Sequence, residues 1–365
     1  MPRNIASLAA ALLLASLASA GELPRPRAWV RIADVPYAIV QSSAAYDAAR
    51  DRVVLYGGGN MTCGTWEFDG QSWACTPINF GLVIEPRLVF DETRSRVVTV
   101  GGQAQESRTR EWTGANWPVI ASTGPEARTS FMLVWDSDRQ RAVLFGGRGQ
   151  QTPFPFPGST WEWSGTSWSS LPGGPPGRTD CAGAYDASRA RTVLYGGRNS
   201  TQLFDDTWEW NGVTWTQIPA SPPPQRVNAG MIYSPLRARS LIHGGMLSKQ
   251  QTYSNETWSW DGVAWRREIE RGPLSFWAVM CYDSLRHRTI MLNYGVGNDS
   301  GTWALPDCPG DANADGAVNF ADLNAVLSNF GQPIPLGIPG DLDGDGLVTF
   351  TDLNHVLSSF GATGC

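Results

Sequence analysis

The sequence predicts an all-β fold: a six-bladed β-propeller closed by its own amino-terminal strand, followed by a small α-helical calcium-binding unit. Three observations predict it. One motif recurs six times with a period of 44 to 50 residues, the mark of stacked supersecondary units. A tryptophan near the amino end, Trp29, has no repeat of its own. Two acidic twelve-residue loops follow Pro306.

Length and composition leave room for this. A chain of 365 residues, 42% of them hydrophobic, can bury a large core and hold more than one domain. The formal net charge is -6 and the single lysine is Lys249. No basic field exists to neutralise phosphates, so nucleic acid is excluded as a partner. Residues 1–20 carry Arg3, an apolar run from Ile5 to Leu17 and then Ala18-Ser19-Ala20, the order of a secretory signal peptide cleaved after Ala20. The apolar run is shorter than the about 20 residues that a spanning helix needs, and no later stretch is apolar enough. The expected product is secreted, extracellular and without a membrane span, with cysteines free to oxidise.

The propeller is expected over residues 21–306. The first unit reads AYDAARDRVVLYGG from Ala45 to Gly58, then TWEFDGQSW from Thr65 to Trp73. An aromatic-Asp pair ends strand a, and the polar Asp-x-x-Arg-x-Arg turn returns the chain into a β-branched strand b that stops at Gly-Gly. Asp47 and its equivalents cap those turns. Strand c carries Thr-Trp-x-aromatic, whose alternate residues share one face. Glycines 70, 114, 165, 212 and 262 follow as hairpin residues, and strand d begins at Trp73, Trp117, Trp168, Trp215 or Trp265. The sixth unit supplies Thr302-Trp303 and no strand d. Trp29 precedes Tyr46 by 17 residues, and each later strand-d tryptophan precedes the next aromatic by 17 or 18. The segment at Trp29 therefore supplies the outer strand of blade six, and closure protects the edges of the array.

Paired glycines and spaced tryptophans in six copies make these units resemble the kelch repeat, over about residues 28 to 306. That resemblance implies a propeller and leaves function open. Blade six departs from it with Asn293-Tyr294-Gly295, and blade two with Arg110 in place of the first tryptophan. Most of the 17 tryptophans hold repeat positions and read as blade-to-blade packing; Trp277 stands outside the register. Positions that differ between copies are the better candidates for a ligand. The b–c links of blades three to five are long and share a face with the d–a links. There Arg148, Arg198, Phe154, Phe156, Phe204 and Tyr253 join Arg128, Arg178 and Arg226 as a candidate surface for an anionic group, a glycan or a protein. A copper site of the kind that resemblance to galactose oxidase implies would need two histidines and two tyrosines. This chain has only His243, His287 and His355, at unrelated places in the repeat.

Residues 307–365 change character. DANADGAVNFAD at Asp311–Asp322 and DLDGDGLVTFTD at Asp341–Asp352 place oxygen ligands at positions 1, 3, 5, 9 and 12 and glycine at position 6, the spacing of a calcium loop. The expected ligands of two calcium ions are Asp311, Asn313, Asp315, Ala317 (carbonyl), Asn319 and Asp322, then Asp341, Asp343, Asp345, Leu347 (carbonyl), Thr349 and Asp352. Each loop feeds a short helix with one apolar stripe: Leu323, Val326, Leu327 and Phe330, then Leu353, Val356, Leu357 and Phe360. This duplicated loop-helix unit resembles a type I dockerin, which implies calcium-dependent docking to a cohesin-like protein. Phe320/Ala321 and Phe350/Thr351 replace the usual hydroxyl pairs at the partner-reading positions, so the expected partner widens to a cell-surface component or the chain's own propeller.

Two disulfides are expected. Cys308–Cys365 would staple the ends of the small unit, and Cys63–Cys75 would cross the first hairpin; Cys181 and Cys281 have no evident mate. The expected function is a non-catalytic binding or scaffold protein whose propeller takes a glycan or protein and whose tail docks it elsewhere. The alternative is a polysaccharide-degrading hydrolase or lyase attached to an assembly by its tail, with carboxylates that meet only in space.

Overall fold

The computed structural model describes residues 28–36, 41–58, 63–77, 85–101, 107–149, 155–247, 252–294, 299–333 and 338–362. The expected signal peptide, with its cleavage after Ala20, lies outside them, as do Phe154 and Cys365. No helix among the described residues is long and apolar enough to cross a membrane.

Six four-stranded antiparallel sheets stand around a central channel, each running a-b-c-d from the axis outward. The innermost strands are Ser42–Asp47, Arg87–Asp91, Met132–Asp136, Ala182–Asp186, Gly230–Ser234 and Ala278–Asp283. The outer strand of blade six is Val30–Ala33, which pairs antiparallel with Gly301–Pro306 and sets Arg31 opposite Trp303. The amino end thus closes the ring, as the 17-residue spacing requires.

One hydrogen bond repeats around the whole circle and makes that closure chemically equivalent to every other blade contact. The indole N–H of each strand-d tryptophan donates to the strand-c threonine of the preceding blade. Trp117 reaches Thr65 at 2.8 Å, Trp168 reaches Thr109 at 2.7 Å, and Trp215 and Trp265 reach Thr160 and Thr207 at 2.9 Å. Trp73 reaches Thr302 at 2.9 Å, and Trp29 completes the circle on Thr257 at 3.0 Å. Each threonine is buried, so an unmade bond there would leave a desolvated hydroxyl. Blade two departs slightly from the expected pattern: its strand d begins at Val119 instead of Trp117, because Pro118 has no N–H for the ladder.

A second network explains the turn arginines. Asp47 caps its turn by accepting from the Arg50 backbone N–H at 3.1 Å, while the Arg50 side chain pairs with Asp47 and with Glu67 of strand c. Arg139 holds Asp136 and Glu162 in the same way, and Arg189 holds Asp186 and Glu209. The glutamates then accept the strand-c indoles of the next blade, Trp112 on Glu67, Trp210 on Glu162 and Trp260 on Glu209. Every a–b turn is a four-residue loop, as between paired Asp47 and Arg52, and ends in a non-glycine residue in the left-handed region, from Asp51 in blade one to His287 in blade six.

Blade five has lost both acids: Ser234 stands at the turn and Ser259 on strand c. The missing carboxylate comes from outside the repeat. Asp307, the first residue past the last strand, is fully buried, accepts from Ser234 Oγ at 2.5 Å and pairs with Arg237 at 2.5 Å. Beyond it the tail forms two helices, Phe320–Asn329 and Phe350–Ser358, capped by Asn319 and Thr349 with reciprocal bonds from Asp322 and Asp352. Their shared core is Val318, Val326, Val348 and Val356 with Ala312 and Leu342. The halves are related by a local two-fold exchange: Val318 pairs with Gly361 and Ala362, and Val348 with Gly331 and Gln332.

Cys63 and Cys75 form the expected disulfide. Cys308 is also disulfide-bonded, and its expected mate Cys365 lies outside the described residues. Cys181 and Cys281 are free and buried, and burial pushes the Cys181 thiol up to about 11.

Candidate functional site

The b–c and d–a links do share a face, as expected. Arg128–Thr129 pairs with Arg148–Gly149, and single bridges join Thr179 to Arg198 and Val227 to Met246. The same pairing overturns part of the expected ligand surface. Arg128, Arg178 and Arg226 are buried, and each donates inward to the first glycine carbonyl after its own strand b: Gly146, Gly196 and Gly244, at 3.0 to 3.2 Å. Each Nε closes on a carbonyl two residues earlier. Arg178 also pairs with Asp206 and lies 3.7 Å above the Phe204 ring, which is buried with it. These four side chains are scaffold. A guanidinium satisfies several carbonyls at once, which a link crowded with proline cannot do for itself. Arg148 and Arg198 remain exposed, Arg198 paired with Asp180 at 2.7 Å. Phe156 is half-buried, and half-buried Tyr253 packs on Phe276.

The structure brings a different set together at the mouth of the channel. The residue five before each blade's strand-a aromatic is Gln41, Glu85, Ser130, Asp180, Asn228 and Trp277. Six copies carry six residue types, and the first five all take left-handed backbone, with φ of 67°, 54°, 54°, 58° and 55°. Non-glycine residues pay for that conformation, and such positions collect where a ligand is held. Their backbones are linked by Glu85 N–H to Gln41 O at 2.8 Å, Asp180 N–H to Ser130 O at 2.9 Å and Asn228 N–H to Asp180 O at 3.1 Å. Variation between copies marks this ring in the sequence as it marks the links, whose differences in length are the plainer signal.

Within the ring lies a cavity of about 120 Å³ lined from all six blades, with Ser43, Arg87, Asp180, Asn228 and Trp277 as its polar and aromatic wall. Arg87 donates Nε to Phe131 O at 2.9 Å and Nη1 to Pro86 O at 3.1 Å. Among the described residues no carboxylate forms an ion pair with it. Burial lowers its basicity, against the fields of Glu85 and Asp180. The Asn228 Oδ1 is buried without a partner. Both acids at the rim are occupied, Asp180 by Arg198 and Glu85 by Gln41 and Ser130. Below, the channel widens to about 360 Å³ between apolar strand-a residues such as Leu88, Leu133, Met231 and Met280. The expected exclusion of a histidine cluster rests on geometry for one member. His243 is buried in blade five between Thr257 Oγ1 at 2.8 Å and Pro273 O at 2.9 Å.

In the tail, donor oxygens of Asp341, Asp343 and Asp345 lie within 4.8 Å of one another. Asp311 is fully buried, and burial with Asp322 and Asp315 nearby pushes its carboxyl up to about 7; burial pushes Asp341 up to about 6. Carboxylates crowded in this way fit a hard divalent cation. The position-12 acids are differently engaged. Asp322 accepts the N–H groups of Ala312, Asn313 and Asn319, and Asp352 those of Leu342, Asp343 and Thr349. Asn319 and Thr349 turn their oxygens to the helix N–H groups of Ala321 and Thr351. The acids of positions 1, 3 and 5 also accept loop N–H groups, Asp311 from Asp315 and Gly316 and Asp341 from Gly344 and Gly346, and each carboxylate oxygen keeps a second lone pair for a cation.

Ring, channel and rim belong to a six-bladed β-propeller, with an acidic loop-helix pair appended. No protein-family model matches the chain, and no curated protein matches its sequence. Among solved structures it is similar to one titled "Structure of YjhT", with a TM-score of 0.59 and 15% identity over 74% of this chain and 94% of that one. At that identity the likeness carries the fold alone.

Proposed function

We propose that this chain is an exported, non-catalytic binding protein. Its propeller takes an anionic glycan or an acidic protein segment at the channel mouth, and its dockerin-like, calcium-loaded tail attaches it to a cohesin-like partner or surface component. The observation that carries the propeller reading is the cavity that Arg87 lines with Asp180, Asn228 and Trp277. A guanidinium without a carboxylate partner, an orphan amide oxygen and an indole wall together suit a carboxylate that also bears hydroxyl groups. Exposed Arg148 and Arg198, with Phe156 and Tyr253, extend that surface over the links. Asp311, Asp315, Asp341, Asp343 and Asp345, with Asn313, would hold two calcium ions, whose charge offsets the crowded carboxylates. The hydrolase alternative needs two acids free to act across a bond, and the two at the rim are already bound.

A panel of neutral glycans, uronate-bearing glycans and acidic peptides tests the propeller. Retention of the acidic members without release of products, weakened about 10- to 100-fold by Arg87→Met as the loss of a charge-assisted pair implies, is the expected result. Cleavage of a glycan, or retention indifferent to Arg87→Met, would count against it.

A further inference from the structure

The two calcium-type loops are alike in sequence and unlike in surroundings. The first is seated on the propeller. Ala314, at position 4 and with φ of 61°, is fully buried in a core shared with Tyr46 of blade one and Cys281 and Ile290 of blade six. Its carbonyl accepts from Arg288 Nη1 at 2.5 Å. Gly316, at position 6, lies so close to blade six that a Cβ there would come within 2.9 Å of Arg286 Cα. Arg286 itself reaches across to Asp51 of blade one at 2.7 Å. Just upstream, Asp307 N–H donates to His287 O at 2.9 Å while its side chain serves blade five. The second loop has no such neighbours: a Cβ at Gly346 would meet nothing within 4 Å, and Gly344, the counterpart of Ala314, is exposed.

We infer that the first loop is a calcium-dependent latch between tail and propeller, bridging blades six and one, while the second loop faces solvent. The inference rests on the calcium reading above. The bend that carries Ala314 into the seam is the chain between positions 1 and 6, and both Asp315 N–H and Gly316 N–H are held by Asp311. A cation bound by Asp311, Asn313 and Asp315 fixes that bend, so its binding free energy is felt by whatever the bend is packed against. The propeller therefore senses occupancy of loop one and is indifferent to loop two. Outward-facing Phe320 and Phe350 remain available for a partner while the latch is closed.

Every tryptophan lies at or before residue 303, so tryptophan emission reports the propeller alone. Thermal unfolding of the full chain is followed by that emission in calcium and in chelator, with the number of bound ions counted by calorimetry. Calcium at about 100 times its dissociation constant should raise the wild-type transition by about 5 to 10 °C. Asp341→Asn should keep that shift and Asp311→Asn should lose it. Gly316→Ala and Gly346→Ala form a second pair with matched φ near +90°; only the first should lower the tryptophan transition in calcium. Ions bound with no change in that transition would overturn the latch and leave the calcium sites standing. No ions bound would overturn both, and a shift lost in Asp341→Asn but kept in Asp311→Asn would reverse the assignment of the loops.

Discussion

At the scale of single residues, His243 shows how a repeat position acquires a pH dependence. Blades one and four carry Tyr56 and Tyr195 at this place, and Tyr195 Oη donates to Pro223 O at 2.6 Å. His243 Nε2–H replaces that donor on Pro273 O, so Nδ1 is the acceptor for the Thr257 hydroxyl, which in turn accepts from Trp29. Burial lowers the His243 pKa to about 4, opposed by the Pro273 carbonyl and helped by Arg226. The folded state thus binds fewer protons than the unfolded chain between about pH 6.5 and 4. Stability from this group is complete above pH 6.5 and declines as pH falls, by up to ~3 kcal/mol. Urea unfolding at pH 7 and pH 5 should show the loss in wild type. His243→Tyr, which restores the residue used in sister blades, should be within about 1 kcal/mol of wild type at pH 7 and should lack this part of the acid sensitivity.

At the scale of elements, blade five depends on a residue that no repeat contains. Arg237 is buried with Asp307 as its partner, and Ser234 cannot supply the charge that Asp47, Asp136 and Asp186 give elsewhere. Removing one member of a buried pair strands the other, at a cost of about 3 to 5 kcal/mol. Asp307→Ala should lower stability by that amount in chemical denaturation, and adding Ser234→Asp should recover at least half of it. No recovery would mean that Asp307 acts through the tail and not through the turn. The alternation of each strand, its turn and its hairpin glycine could be read in advance because those choices are local. Arg128, Arg178 and Arg226 turn inward instead of toward a ligand because their partners are backbone carbonyls 18 residues onward, and a carbonyl leaves no trace in a sequence.

At the scale of the whole molecule, closure is the decisive contact. A chain starting at Val35 would lose the outer strand of blade six and the buried Trp29, exposing the edge of Gly301–Pro306. Its melting temperature should fall by about 10 to 20 °C, in line with a loss of about 5 kcal/mol, and it should aggregate more readily; an unchanged melting temperature would mean that the seam contributes little. The sequence by itself determined the number of blades, their strand order, the closing strand, the disulfide of the first hairpin and the two loop-helix units. Each follows from spacing and residue type within one repeat length, where backbone geometry allows few alternatives. Only the tertiary structure decided which arginines face inward, that six unlike residues meet at the channel mouth, and that one acidic loop is seated on blades six and one while its twin faces water. Those outcomes depend on residues brought together from different turns of the ring, and distance along the chain carries no record of distance across a channel.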